Sequence, residues 1–401
     1  MTKAITATDV KALESQYVLQ TYRRQPVVFE RGEGMRLFDE TGRAYLDFLS
    51  GIGVASLGHA HPKIARALAD QAATLVHTSN LFFHPLQGEL ARVLTARTGL
   101  DRAFFCNSGT EAMEACLKFA RRYWHAQGAV GRTKYLAFTH SFHGRTMGAL
   151  SVTADEHYRI PFQPLVPGVS FASADDLAAI DRLIDDETAA VVVEPIQGEG
   201  GVRPISSATA QTITEGCRRT GALLIADEIQ SGSGRTGSFL RSGVVGLTPD
   251  LVALGKALGA GMPVGAALVS AKVAAAISAG DHGTTYGGNL LACRAALTFL
   301  DVLDDALLAS IRRVGDYLLG QLRDIAAANS GLVADVRGAG LIAGLELRVD
   351  AAPVVQAALE RGLIVNRTSG TVVRLLPPFI VTERDVDEAV GTLKEAVRVA
   401  K

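Results

Sequence analysis

Five short runs free of charged residues recur through the middle of the chain: Ala103 to Cys106, Tyr135 to Phe138, Ala189 to Val193, Leu223 to Ala226 and Leu251 to Leu254. Runs this short and this uniformly apolar are strands buried on both faces. Helix-like segments separate them, and that alternation predicts a largely parallel sheet covered by helices. In such a sheet functional residues gather in the crevice beyond the carboxyl ends of the strands. The residues just past each run therefore matter more than the run itself.

The flanks read differently. From Pro26 to Phe48 short strands joined by Glu33-Gly34 and Thr41-Gly42 turns predict a small β-meander. Helical spacing starts after His61, with Pro62 in the first turn and Ile64, Leu68, Ala72 and Leu75 on one stripe. After about Asn289 a long helical stretch runs through Leu322. Strands come next, near Leu341 to Leu347, Leu363 to Val365 and Val372 to Leu376, and a capping box at Thr382 and Asp385 opens a last helix. The expected division is an N-terminal segment over residues 1–50, a large domain over 51–288 and a smaller domain over 289–401, the small α+β domain drawing on both chain ends.

Forty Lys plus Arg against 41 Asp plus Glu leave a net charge of -1. That balance offers no whole-molecule attraction to nucleic acid or to an anionic membrane. The four cysteines, Cys106, Cys116, Cys217 and Cys293, form no C-x-x-C pair, so neither a disulfide framework nor a metal knuckle is indicated. The start, MTKAITATDVKALESQY, lacks the apolar core of a secretory signal, and a cytoplasmic setting is expected.

Each strand end carries chemistry. The first leads into Cys106-Asn-Ser-Gly-Thr-Glu-Ala112, where Ser108, Gly109 and Thr110 at a helix start suit a phosphate or form an ordinary N-cap. The second leads into Thr139-His-Ser-Phe-His-Gly-Arg-Thr146. There Phe142 could stack on a flat ring or be core, Arg145 could clamp a carboxylate or sit in a surface ion pair, and His143 is as consistent with structure as with catalysis. The third leads into Glu194-Pro-Ile-Gln-Gly-Glu-Gly-Gly201 with Glu199 on a glycine-flexible loop. The fourth delivers Asp227-Glu-Ile-Gln230, an aspartate that is either a helix cap or a fixed anion. The fifth ends at Lys256, the only charged residue between Asp250 and Lys272. A lysine in such surroundings reaches solvent or tends to lose its proton. A phosphate seat, a stacking ring, a fixed carboxylate and such a lysine, in that order and each at a strand end, match pyridoxal phosphate (PLP).

The motifs NSGTEA, SFHGRT, EPIQGEGG, ADEIQSGSGRTG and HGTTYGGN resemble the class III, fold-type I PLP-dependent aminotransferases, and within them the acetylornithine branch. The resemblance runs from about Pro26 to the C-terminus. It implies that Lys256 holds the cofactor covalently and moves the reaction proton, and that Asp227 pairs with the pyridine nitrogen. It further implies that Gln230 bonds the ring hydroxyl, and that Phe142 and Ile229 cover the two ring faces. Ser108, Gly109 and Thr110 hold the phosphate, Glu228 counts with the cofactor-binding set, and Thr285 of a partner subunit completes the phosphate site, which requires a homodimer.

By the same resemblance Arg145 binds the amino donor's α-carboxylate and Arg374 the carboxylate beside the reacting carbon of glutamate or 2-oxoglutarate. Glu199 neutralises Arg374 when that carboxylate is absent, and Thr284 is a further donor to substrate. The expected reaction is transfer of the ω-amine of N2-acetylornithine to 2-oxoglutarate, giving N-acetylglutamate 5-semialdehyde and glutamate, a step of arginine biosynthesis. Succinylornithine, acetyl-lysine-type donors, ornithine and 4-aminobutyrate are the alternatives. Ala55 and Leu290 depart from the commoner pattern, and Ile52 in place of tyrosine argues against free ornithine. No metal is expected.

Overall fold

The computed structural model describes residues 6–400, so Met1 to Ile5 of the segment MTKAITATDVKALESQY lie outside the described residues, as does Lys401. Seven strands form the main sheet, in the order Arg102–Cys106, Gly265–Val269, Leu251–Leu254, Leu223–Asp227, Thr188–Val193, Lys134–Phe138 and Val169–Ala172. All five apolar runs are among them. The sixth parallel member is the edge strand Val169–Ala172, and Gly265–Val269 runs antiparallel to both of its neighbours. The apolar pattern of Gly265–Val269 marks it as buried, yet burial carries no information about direction.

Successive residues of each strand face opposite layers, as the two-residue repeat requires. Leu223 and Ile225 pack with Met113, Cys116 and Ala120 of the helix Gly109–Ala126, while Leu224 joins Ile213 and Cys217 of the helix Ser207–Thr220 on the other face. The sheet is thus covered on both sides. Because five of its parallel strands are the apolar runs, their carboxyl ends share one edge.

A second antiparallel sheet, ordered Val333–Ala339, Ile342–Leu347, Val372–Leu375 and Asn366–Thr368, is backed by the helices Asp305–Ala328, Ala352–Glu360 and Glu383–Val397. Thr382 and Asp385 form the expected capping box. The long helical stretch expected after Asn289 is two helices, Leu290–Val302 and Asp305–Ala328, separated where Asp304 caps the second.

The N-terminal meander, Phe29–Glu33, Arg36–Asp39 and Ala44–Asp47, takes its fourth strand from the other end of the chain, as Leu363–Ile364 pairs parallel with Ala44–Asp47. The stitching continues along the backbone: Phe48 N–H donates to Ile364 O (2.9 Å), Leu376 N–H to Phe48 O (2.7 Å) and Phe379 N–H to Ser56 O (2.6 Å). Arg235, fully buried, ties the main domain's loop to the same region by donating to Leu341 O (3.2 Å) and to Pro377 O. Among the described residues no helix is long and apolar enough to cross a membrane.

Candidate active site

At the first strand end Ser108 caps the helix Gly109–Ala126, its hydroxyl accepting from Glu111 N–H, while Glu111 reaches back to Asn107 N–H at 2.5 Å. In the first turn the amides of Gly109 and Thr110 have no intrahelical acceptor and point, with the dipole, at whatever anion lies beyond. Any side chain at Gly109 would displace Ile229: a Cβ there would lie 2.8 Å from Ile229 Cγ2. At Gly255 it would press on Gly109 Cα at 3.2 Å. The Thr110 hydroxyl is bonded to that of Thr146 at 2.9 Å. Three strand ends, at residues 109, 229 and 255, are therefore in contact.

Asp227 is buried at the end of its strand. Its Oδ2 meets His143 Nδ1 at 2.8 Å and its Oδ1 accepts from Ile229 N–H at 3.0 Å. Burial would hold His143 neutral, but its bond to Asp227 and the nearby carboxylates outweigh that and raise its pKa. His143 Nε2 is buried without a partner among the described residues. The histidine whose role the sequence leaves open is thus the partner that fixes the aspartate.

Glu194, the residue directly after the third run, accepts from Phe142 N–H at 2.8 Å and from Gly198 N–H at 3.2 Å. It pins the Phe142 loop and the Glu199 loop together. Burial pushes its carboxyl up to about 7, against the pull of His143. The motifs assign no role to Glu194, although it holds the position after its run that Asp227 holds after the next. Reading every strand end alike finds it.

Lys256 opens a single 3₁₀ turn, Lys256–Gly259, with a left-handed φ of 42°. That conformation is sparsely populated for a residue with a Cβ and is held here by the packed turn around it. Burial drives the ammonium toward its neutral form, Glu199 opposes this, and the pKa is lowered from the usual lysine value. Glu199 itself is pushed up by burial but held down further by Arg374 and Lys256, so its carboxyl titrates below the ordinary range.

Arg374 lies on the strand Val372–Leu375, opposite Asn366 in the antiparallel register. Its Nη1 donates to Glu199 Oε1 at 2.6 Å and to Gln230 Oε1 at 3.1 Å, and its Nε donates to Asn366 Oδ1 at 3.1 Å. Arg374 Nη2 is buried with no partner among the described residues. Gln230 also donates to Glu199 at 3.4 Å, so it bridges both members of the ion pair. Asn366 is silent in the sequence because only the register reveals it.

Arg145 stands among aromatic rings, its guanidinium 3.5 Å from the ring centroid of Tyr158 and 5.6 Å from that of Phe142. Glu228 is fully buried with its carboxylate turned into the next loop, taking Ser231 Oγ–H at 2.5 Å and Ser242 N–H at 2.6 Å, so both oxygens are engaged. Thr284 Oγ1 accepts from Asn107 Nδ2 (3.3 Å) and from Gly287 N–H (3.2 Å). Thr285 beside it is exposed. Asn80, donating to Thr284 O and Gly287 O, and Lys118, bonded to His282 Nδ1, hold this loop to its own chain while Thr285 faces outward.

The donor set fits a planar ring bearing a phosphate: an anion-seeking helix start, a fixed buried carboxylate, one aromatic and one aliphatic side chain, and a neutralisable amine. Comparison with known proteins agrees. The sequence matches the family described as aminotransferase class-III over residues 17–397. It is 44% identical over 380 residues to the acetylornithine aminotransferase of Aquifex aeolicus, covering 94% of this chain and 99% of that one. It is 45% identical over 378 residues to that of Archaeoglobus fulgidus, covering 94% and 97%. Among solved structures, the ornithine aminotransferase of Toxoplasma gondii superposes with a TM-score of 0.94 at 34% identity, covering 99% of this chain and 96% of that one. The acetylornithine aminotransferase of Elizabethkingia anophelis gives 0.86 at 31% identity, covering 98% and 99%.

Proposed function

The chain belongs to the class III aminotransferases, which are PLP-dependent, and from that premise we propose that it moves the terminal amine of N2-acetylornithine to 2-oxoglutarate. The observation that carries this reading is the Glu199–Arg374 pair at 2.6 Å, beside a lysine of lowered pKa. An enzyme that alternates between an ω-amine with no carboxylate at its reacting carbon and a dicarboxylate needs one arginine it can cover and uncover. Sequence relatives named for acetylornithine support the choice of donor.

When bound, PLP supplies an electron sink for negative charge developing at the substrate carbon. The residues that would hold it are Ser108, Gly109 and Thr110 at its phosphate, Asp227 with His143 behind it at the ring nitrogen, Gln230 at the ring hydroxyl, and Phe142 and Ile229 on the two faces. Glu228 supports the cofactor set from behind: its carboxylate serves the loop, its backbone N–H donates to Ala253 O (3.0 Å) and its C=O accepts from Gly232 N–H (2.8 Å). Lys256 Nζ would hold the group covalently, and its amine would serve as the acid–base that takes and returns the proton at the substrate carbon. Burial, which lowers its pKa, favours the neutral amine that accepts such a proton.

Arg374 receives the carboxylate adjacent to the reacting carbon of glutamate or 2-oxoglutarate, displacing Glu199, whose side chain, 33% exposed, reaches solvent where that of Arg374 does not. Arg145 receives the α-carboxylate at the far end of the donor, and Thr284 is a further donor to substrate. Thr285 reaches the phosphate site of a second subunit. Leu81, Phe82, Phe83 and Tyr286, exposed by 86%, 68%, 106% and 64%, support the homodimer this requires. We assign residues 1–50 and 289–401 to the small domain and 51–288 to the PLP-binding domain. A cytoplasmic setting is supported by the four free, buried cysteines.

Steady-state rates with acetylornithine, succinylornithine, an acetyl-lysine, ornithine and 4-aminobutyrate test the donor assignment. Acetylornithine should give the highest kcat/KM. A preference for 4-aminobutyrate, which has no α-carboxylate, would remove the role given to Arg145.

A further inference from the structure

The two substrate-facing arginines are held by different physics. Arg374 is gripped by a carboxylate that must leave before substrate can bind. Arg145 has no carboxylate partner among the described residues; its guanidinium carbon sits 3.5 Å from the centroid of the Tyr158 ring, with Phe142 on another side at 5.6 Å. A guanidinium stacked on an aromatic face keeps the edge of its fork, with its N–H donors, unengaged. An ion pair would consume those donors.

We propose that Tyr158 is a positioning residue for the donor carboxylate, its ring holding the Arg145 fork flat and open so that it is always available, in contrast to Arg374. This rests on the assignment of Arg145 to the α-carboxylate of the amino donor.

The placement of Tyr158 is itself built. It lies on a one-turn helix, Glu156–Arg159, capped by Asp155, which accepts from His157 N–H at 2.9 Å. Tyr158 N–H donates to Asp155 O at 3.1 Å, and next to it Arg159 packs on Phe171 of the edge strand at 4.5 Å. On the other side, Phe142 is fixed through its backbone by Glu194. The ring that holds Arg145 and the ring expected over the cofactor thus flank one guanidinium. The stacking face matters here, not the hydroxyl, so phenylalanine should serve at position 158.

The test uses PLP-loaded enzyme and four variants, Tyr158→Leu, Tyr158→Phe, Tyr158→Gln and Arg145→Ala, in both half-reactions. Tyr158→Leu and Tyr158→Gln should raise KM for acetylornithine about ten-fold with kcat little changed, and leave the glutamate half-reaction as in the parent. Tyr158→Phe should stay within about two-fold of the parent. If Arg145→Ala raises the donor KM but neither non-aromatic variant does, the role of Tyr158 is overturned while the assignment of Arg145 stands. If Arg145→Ala leaves the donor KM unchanged, that assignment itself fails. Loss of both half-reactions in both non-aromatic variants would make Tyr158 a structural residue only and also overturn the proposal.

Discussion

Arg374 and Glu199 form a 2.6 Å ion pair whose two ends are unequally wet: the arginine side chain is fully buried and the glutamate is 33% exposed. The asymmetry decides which member can move. The arginine is also fixed by Asn366 and Gln230, so the carboxylate is the mobile one. Glu199→Gln should leave Arg374 open to any carboxylate, shifting preference toward glutamate. Half-reaction kinetics should show the ratio of glutamate to acetylornithine kcat/KM rising about ten-fold, the effect of roughly 1.4 kcal/mol. An unchanged ratio would show that Glu199 does not compete for Arg374.

Lys256→Ala should abolish the visible absorption band of the covalently held cofactor and lower turnover by about three orders of magnitude or more, the scale of a lost acid–base group. Spectra of wild type and variant, each incubated with PLP and dialysed, read the first effect directly. A band of unaltered position and strength in the variant would place the covalent link elsewhere.

The buried carboxyl of Glu194 makes a pH prediction. An acid whose folded pKa is raised favours the folded state only while protonated, so its contribution is lost as pH rises from the ordinary value of 4.5 through about 7. His143, whose pKa is raised, loses its contribution as pH rises further. Both act in the same direction. Glu194→Gln should therefore flatten the fall in Tm between about pH 4.5 and 7 and make the slope above it somewhat shallower, since the Glu194 carboxylate also helps raise His143. Thermal denaturation across that range is the measurement, and parallel curves for the two proteins would exclude a raised Glu194 pKa.

The exposed aromatic strip supports assembly. Phe82→Asp with Phe83→Asp changes only exposed side chains, so the chain should still fold, yet run as a monomer on size-exclusion at micromolar concentration. Under the proposal that the partner's Thr285 completes the phosphate site, activity should fall about a hundred-fold, a loss comparable to removing one anion-stabilising donor. A monomer with full activity would show each subunit to be complete alone.

The main sheet is legible because wholly apolar four- and five-residue runs have few other uses. Strand ends can then be inspected one by one, and residues at five of them do come into contact. Gly265–Val269 is hidden because it comes directly after the lysine turn, with no helical segment to announce it, and because its reversal has no signature in composition. Asn366 and Tyr158 are illegible for a different reason. Their contacts with Arg374 and Arg145 arise from register and from loop path, which no local pattern encodes. Glu228 shows the converse, since adjacency to Asp227 suggests shared duty, whereas alternation along an extended chain turns its side chain the opposite way.

The backbone bonds that join residues 46–56 to 362–379 have a consequence for the order of assembly on the ribosome. Those early residues wait for partners that are synthesised more than three hundred positions later. Contacts so distant in sequence form late in folding. The lysine crevice can take shape before those later segments are made, whereas Arg374 and the segment beside it can settle only once they have been synthesised. A nascent subunit is thus able to collapse around its main sheet well before it can discriminate one carboxylate from another.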